Sequence, residues 1–431
     1  MAAPGSATAP RQAGSRLATS LGARRALGLA GLAGLAVSAI GLAAPGPGMV
    51  PAATGGGPEW LLGVYGDGLG VSPRVYYGLL WVAFASHLCV FFAAPALDRR
   101  LIGACAVLLV AAFAIAPPLL SQDVFSYIAY ARLGALHDLN PYTHAPIEFP
   151  SDPSIAHVGW TESQSAYGPL FTLATHPLAL VSVPVALWAL KGAAAASVLA
   201  LALLVSRMAA GRGVDPRRGF VMVALNPLVL VHVVGGAHND ATAMLLAMLG
   251  CAAILTLRET AGGVAIASAV GLKLSAAFVA PFALLGAARP GRFAAGVAVA
   301  AATIVATGLL AFGPHLFESA ALAGENQGRV SNYSLPNLLS ELLGVDVDGV
   351  RAVTAVGYVA LLAALLLAAR RGFDWIRAAG WAALGLLIAS AWLLPWYVIW
   401  ALPLAALSRD ERLVAAVLLL TALQLAARVP L

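Results

Sequence analysis

Between residues 26 and 428 the chain is a succession of apolar windows of roughly 17 to 25 residues, broken by short basic clusters. Hydrocarbon offers the backbone no hydrogen-bond partner, so a window that crosses it must close its own bonds as a helix. The expected fold class is therefore all-α: a polytopic membrane protein with about 12 transmembrane helices. The approximate spans are 26–44, 77–97, 101–119, 184–206, 219–236, 240–257, 262–288, 292–312, 350–369, 376–393, 394–407 and 413–428. Charge usage agrees: only 10% of residues are charged and 61% are hydrophobic, against about 25% charged in soluble domains. Abundant Gly and Ala suit helices that pack closely in lipid.

The net charge of +6 is no nucleic-acid footprint, because the basic residues sit in small groups between the apolar windows. The partners read from this pattern are membrane lipids, with no nucleic acid. Arg16, Arg24 and Arg25 place the N-terminus in the cytoplasm; Arg99 with Arg100, the group Arg207 to Arg218, Arg289 with Arg292, Arg370 with Arg371, and Arg409 with Arg412 mark further inside turns. Residues 1–25 are expected as a disordered cytoplasmic tail and 26–431 as a single transmembrane domain, multi-pass in the cell membrane. For the count to close, residues 168–182 must form a short helix at the outer surface, with the next span starting near Pro184. The window 262–288 must be a bent or re-entrant pair with Lys273 at the bend, since Arg258 and Arg289 both favour the inside. The outer loops 120–183 and 314–348 then share one outward face. Cys89, Cys105 and Cys251 all lie in apolar segments, with neither metal nor disulfide spacing.

Polar chemistry gathers on that face. In SQDVFSYIAYARLGALHDLNPYTHAP, residues 121–146, a helix over 123–138 puts Val124, Phe125, Ile128, Ala131, Ala135 and Leu136 on one side. Asp123, Ser126, Tyr130 and His137 fall on the other, the pattern of an amphipathic interfacial helix. Asp123 has two readings: an acid favoured by the first turn of a helix capped by Ser121, or a general base beside a cleft. NPLVLVHVVGGAHND, residues 226–240, brings His238, Asn239 and Asp240 to a helix start, where capping alone does not need all three. In NQGRVSNYSLPNLL, residues 326–339, Arg329 is the lone Arg or Lys of 314–348, and is either a solvated loop residue or an anion contact. Lys273, unpaired in lipid, would cost about 3 kcal/mol on insertion scales, so it snorkels, pairs with an acid, or meets a ligand phosphate. Trp392, Trp396, Tyr397 and Trp400 form an interfacial belt or a stacking surface for sugar or isoprenoid. Asp346 and Asp348 resemble a metal-binding DVD pair, but no nucleotide-binding α/β domain accompanies them and Asp348 reads as a helix cap. No cofactor is expected and no metal-ligand set stands out, which leaves dependence on a divalent metal open.

SQDVFSY with NPYTHAP, YGPL, NPLVLVHVVGGAHNDA and PWYVIWALP together resemble the polyprenol-phosphomannose-dependent α-1,6-mannosyltransferases of actinobacteria, integral membrane enzymes of the GT-C class. The resemblance implies a polyprenyl-phosphate sugar donor, a lipid-linked glycan acceptor, inversion at the anomeric carbon and an extracytoplasmic site. It implies Asp123 as the base. Tyr130, Tyr142, His144, Tyr167, His238, Asn239, Asp240, Trp396 and Tyr397 would meet substrate, and Arg329 with Lys273 would meet the phosphate. The chain departs from the pattern at Gln122, where a cation is common, and at Asp138, where a glycine is common; another polyprenyl-phosphate sugar therefore stays open as donor. A transporter or flippase of a lipid-linked saccharide is the rival of a different class, and would be expected to show internal repeats.

Overall fold

The computed structural model describes residues 9–53, 58–326 and 328–427, and these contain helices but no strand. The first helix, α1, runs Ala9–Ala43, so residues 9–25, expected as a disordered tail, continue the first helix; Ala, Arg and Leu there are strong helix formers. Residues 1–8 lie outside the described residues. α1 packs along α2, Pro73–Ala93, through small residues: a Cβ at Gly31 would lie 2.7 Å from the Ser86 carbonyl oxygen. Ser72 caps α2 and Asp98 caps α3, Arg99–Ala114, each accepting a first-turn N–H.

The chain then leaves the bundle for α4, Asp123–Leu136, and α5, Pro169–Thr175, followed by a tight turn over His176–Leu180. A short helix ahead of a single long span is the arrangement expected for 168–182. That span, α6, is Val183–Gly211. Asp215 and Pro216 start α7, Pro216–Ala224. The window 219–236, expected as one span, is instead broken: α7 and a π-helical segment, Val229–Gly235, meet at 57°. Pro227 cannot donate and restricts Asn226, whose side chain accepts from Leu228 N instead.

α8, Asp240–Leu255, and α9, Glu259–Leu272, form a hairpin. Lys273 then breaks the helix with an extended backbone, φ −148 and ψ 117, ahead of a 3-10 turn and α10, Ala280–Gly286. The expected bend at Lys273 is present. α9 lies closely against α11, Pro290–Phe312; a Cβ on Gly263 would strike the Phe293 carbonyl oxygen, and one on Gly296 that of Thr260. Gly263→Ala should therefore destabilise the fold by about 1–3 kcal/mol through overpacking. Gly103→Ala, where an added Cβ meets nothing within 4 Å, should not. Thermal unfolding in detergent compares the two.

The segment 314–348, expected as a polar loop, carries α12, Glu318–Asn326, and α13, Leu335–Leu343. α14, Val347–Arg370, is capped by Asp346 rather than Asp348, which pairs with Arg351. α14 buries none of its side chains, and Val353, Val356 and Val359 are exposed, as suits a helix facing lipid. α15, Trp375–Ala389, α16, Leu402–Leu407, and α17, Glu411–Ala426, complete the chain, with a 3-10 turn over Pro395–Trp400 breaking the expected 394–407 span. At the end of the bundle away from α4, Arg212 pairs with Asp374 and Arg377 with Asp410, tying α6, α15 and α17. The protein is a multi-pass membrane protein. Among the described residues five helices are long and apolar enough to cross, six if the bent pair is one span; most other expected crossings are shorter apolar helices or broken segments.

Candidate active site

Asp123 is the first residue of α4. Its N–H donates to Ser121 Oγ at 3.2 Å, so the serine does steady this helix start. The carboxylate is otherwise engaged: Oδ1 accepts from Trp160 Nε1 at 3.1 Å, and Oδ2 lies 3.7 Å from His238 Nδ1. The side chain is 16% exposed and stands on the wall of a cavity of about 380 Å³. Burial pushes its pKa up to about 6; the charge of Lys273 and the Trp160 bond work against that rise. A carboxylate half-titrated near pH 6 is suited to take a proton near neutral pH.

α4 does not lie as an interfacial helix with one wet face. From Val124 to Ala131 both faces are buried, because residues 140–167 fold back over its polar side. Tyr130 Oη donates to the carbonyls of Ser163 and Gln164 at 2.8 and 3.1 Å. Arg132 and His137 both bind Asp152, at 2.9 and 2.7 Å. Burial alone would raise Asp152, but the bonds from His137, Ser154 and Arg132 outweigh it and hold the carboxyl at about 2. Asp138, where a glycine was expected, adopts φ +53, a conformation that aspartate tolerates better than most residues.

Opposite Asp123, the break in the α9–α10 segment delivers Lys273 to the cavity wall. Gly168 of YGPL makes this possible: its N–H donates to Leu272 O at 3.3 Å, and a Cβ there would collide with Gly271. The ammonium bonds Asp240 Oδ2 at 2.7 Å and Asn239 Oδ1 at 3.4 Å. Asp240 is fully buried, and its other oxygen accepts from Trp400 Nε1 at 2.8 Å. Asp240, expected to meet sugar, thus holds Lys273 and Trp400 from behind the cavity wall. His238 is likewise fully buried, stacked on Trp396 at 3.7 Å and 16°. Tyr397 and Trp400 stack at 4.5 Å beneath Lys273.

The expected residues therefore divide. Asp123, Tyr130, Tyr167, Lys273, Trp396 and Tyr397 line one cavity. His238, Asn239 and Asp240 stand directly behind it. Tyr142 and His144 are displaced from it. The Tyr142 hydroxyl is buried between Tyr167 O and Thr172 Oγ1, both at 3.0 Å, and His144 faces Thr143 and Glu148; both residues tie down the NPYTHAP turn. Arg329 stands at the rim, its guanidinium 4.7 Å from the Trp160 ring and 5.9 Å from that of Trp392. Sequence reasoning missed Trp160, whose one signal was an aromatic residue in an outer loop. It also missed Ser126 as a lining residue, though its helical face pointed that way; its buried Oγ has no partner among the described residues. Such an orphan on a cavity wall fits a site that meets a ligand hydroxyl.

A family model described as α-(1→6)-mannopyranosyltransferase, N-terminal domain, matches residues 25–289, well over half of the chain. The chain belongs to the α-(1→6)-mannopyranosyltransferase family. A second model, glycosyltransferase family 87, matches residues 166–429 of this family member, so the two overlap across the stretch holding Tyr167, His238 and Lys273. Among curated relatives, α-(1→6)-mannopyranosyltransferase A of Mycobacterium tuberculosis is 28% identical over 239 residues, covering 52% of this chain and 44% of that protein. The corresponding protein A of Corynebacterium glutamicum is 30% identical over 198 residues, 44% of this chain and 39% of its own length. Protein B of the latter organism is 28% identical over 158 residues, covering 35% and 26%. The chain thus spans less than half the length of the curated relatives it matches. No solved structure matches it. The all-helical, multi-pass architecture agrees with the GT-C-like fold expected of this family.

Proposed function

We propose that the protein transfers a mannosyl residue from a polyprenyl phosphate to the 6-hydroxyl of a lipid-linked mannoside, with inversion, on the extracytoplasmic face of the membrane. Asp123 takes the proton from the acceptor O6 as that oxygen attacks the anomeric carbon. The C1–O bond to phosphate breaks, and polyprenyl phosphate leaves with the bonding electrons. Lys273 steadies the phosphate as charge develops on it: an ammonium has three donors, and Asp240 and Asn239 use two. The aromatic wall of Trp396, Tyr397 and Trp400 supplies faces for the sugar and the first isoprene units. Arg329 extends the phosphate-binding side at the rim.

One observation carries the reading: a carboxylate with its pKa pushed up to about 6 and a cation share one aromatic-walled cavity at an end of a membrane bundle. The family to which the chain belongs supports mannose as the sugar. The test uses membranes holding this protein, polyprenyl phospho-[¹⁴C]mannose and a short α-mannoside acceptor. Labelled product, released by an α-1,6-specific mannosidase, is expected; GDP-mannose should give none when polyprenyl-phosphomannose synthesis is blocked. Product from a different polyprenyl-phosphate sugar alone would replace mannose in this proposal, and movement of intact lipid-linked saccharide without transfer would overturn it.

A further inference from the structure

We infer that Lys191, in the interior of α6, is a positioning residue that sets the spacing of Asp123 and His238. This rests on the reading of Asp123 as the base. Lys191 is fully buried within an apolar helix. Its ammonium carries three donors, and three backbone carbonyls meet it: Gly235 O at 2.6 Å, Pro117 O at 3.3 Å and Val234 O at 3.5 Å. Two of these, Val234 and Gly235, end the π-helical segment where GGAHND begins, and the third belongs to the PPLL that precedes SQD. Carbonyls at a helix end have no partner within the helix and carry partial negative charge, so a cation suits them in a medium without water.

Gly235 is the junction. Its carbonyl accepts from Lys191 Nζ and also from Leu119 N at 3.1 Å. Its lack of a Cβ allows the approach, since an added one would lie 2.8 Å from Leu119 Cδ1. Four residues beyond Leu119 stands Asp123, and three beyond Gly235 stands His238. Each short link contains a non-glycine residue in the left-handed region, Leu120 at φ +56 and Ala237 at φ +59. Such backbones persist only where the surroundings over-determine them. Lys191 supplies that constraint to both links at once, because its ammonium binds the Gly235 carbonyl, where one link starts and to which Leu119 N also donates, and the Pro117 carbonyl two residues ahead of the other. The 3.7 Å approach of Asp123 and His238 is the result. Around Asp123 the other groups that bear on its proton are Lys273, Asp240 and the Trp160 N–H; Lys191 acts through the backbone instead.

The full-length protein in nanodiscs is compared with Lys191→Met, which keeps the chain length and removes the donors. Two readouts are taken: transfer kinetics, and the pH dependence of carbodiimide labelling of the Asp123 peptide by mass spectrometry. Loss of geometry near 1 Å lowers kcat by about a hundred-fold, with acceptor KM changed by less than about three-fold because the cavity wall is intact. The labelling midpoint moves from about 6 towards the ordinary carboxylate value, as the loosened junction admits water. Labelling needs no substrate, so it decides on Lys191 even if the donor proves to be another sugar and no transfer is seen. Gly235→Ala parts the same junction with the ammonium in place and should reproduce both changes, which covers the case in which Lys191→Met fails to fold. Wild-type kcat and an unmoved midpoint in a folded variant of either kind would overturn the inference.

Discussion

Asp123→Asn should lower kcat for mannosyl transfer by about 10²- to 10⁴-fold, the range for loss of a positioned general base, with little change in the KM of either substrate. The amide keeps the volume and still accepts from Trp160 Nε1, so the wall of the cavity survives. The pH profile gives a second, independent reading. The proposed base must be ionised to work, and burial holds Asp123 near 6; wild-type kcat/KM should rise about ten-fold per unit below that value and level off above it. That acid limb should vanish from the residual activity of the amide variant. Stability runs the other way. A carboxyl whose pKa is raised by folding loses stabilisation as pH climbs through the folded value, so at pH 7.5 the wild type bears an ionised group in an unfavourable place. Asp123→Asn should therefore melt no lower than wild type at pH 7.5. A variant that is inactive and also unfolds early would point to a structural role for Asp123, and equal activity would remove it from the chemistry.

How much of this was open to sequence reasoning depends on where each interaction lies along the chain. The start of α4 at Asp123, the short α5 and the break at Lys273 follow from local periodicity and from the sign of nearby charges, and all three are present in the structure. The burial of α4 was not legible. Its alternation of apolar and polar residues reads as an interfacial helix, and only the fold-back of residues 140–167, fixed by Tyr130 and Asp152, turns the polar face into a protein interior. Trp160 reaches Asp123 across 37 residues with no periodic pattern to announce it. Asp240 could be placed near the site, but its task could not, because its partners Lys273 and Trp400 lie 33 and 160 residues away. Lys191 stood out as a cation inside an apolar window, but its task did not: its partners are backbone carbonyls, to which every residue type contributes alike. The kink at Asn226–Pro227 was written in the sequence as a pre-proline pair, yet the long apolar run around it outweighed that signal.

Lys273 has two tasks that a pair of variants separates. Lys273→Met alone leaves the Asp240 carboxyl fully buried and without its cation, with Trp400 as its remaining side-chain donor among the described residues; breaking a buried pair in this way costs about 3–5 kcal/mol. A clear fall in the unfolding temperature is expected, with transfer lost as well. Asp240→Asn added to that variant removes the stranded charge, and its amide oxygen still accepts from Trp400 Nε1. The double variant should return to within about 1 kcal/mol of wild type, since both partners of the pair are then neutral. Transfer should not return with it. If the remaining ammonium donor meets the leaving phosphate, its loss lowers kcat by about 10²- to 10³-fold, the effect of removing one donor from developing negative charge, and the double variant stays that far below wild type. Recovery of transfer together with stability would assign Lys273 wholly to holding α8 against the α9–α10 break. It would leave Arg329, at the rim beside Trp160, as the cation that meets the phosphate.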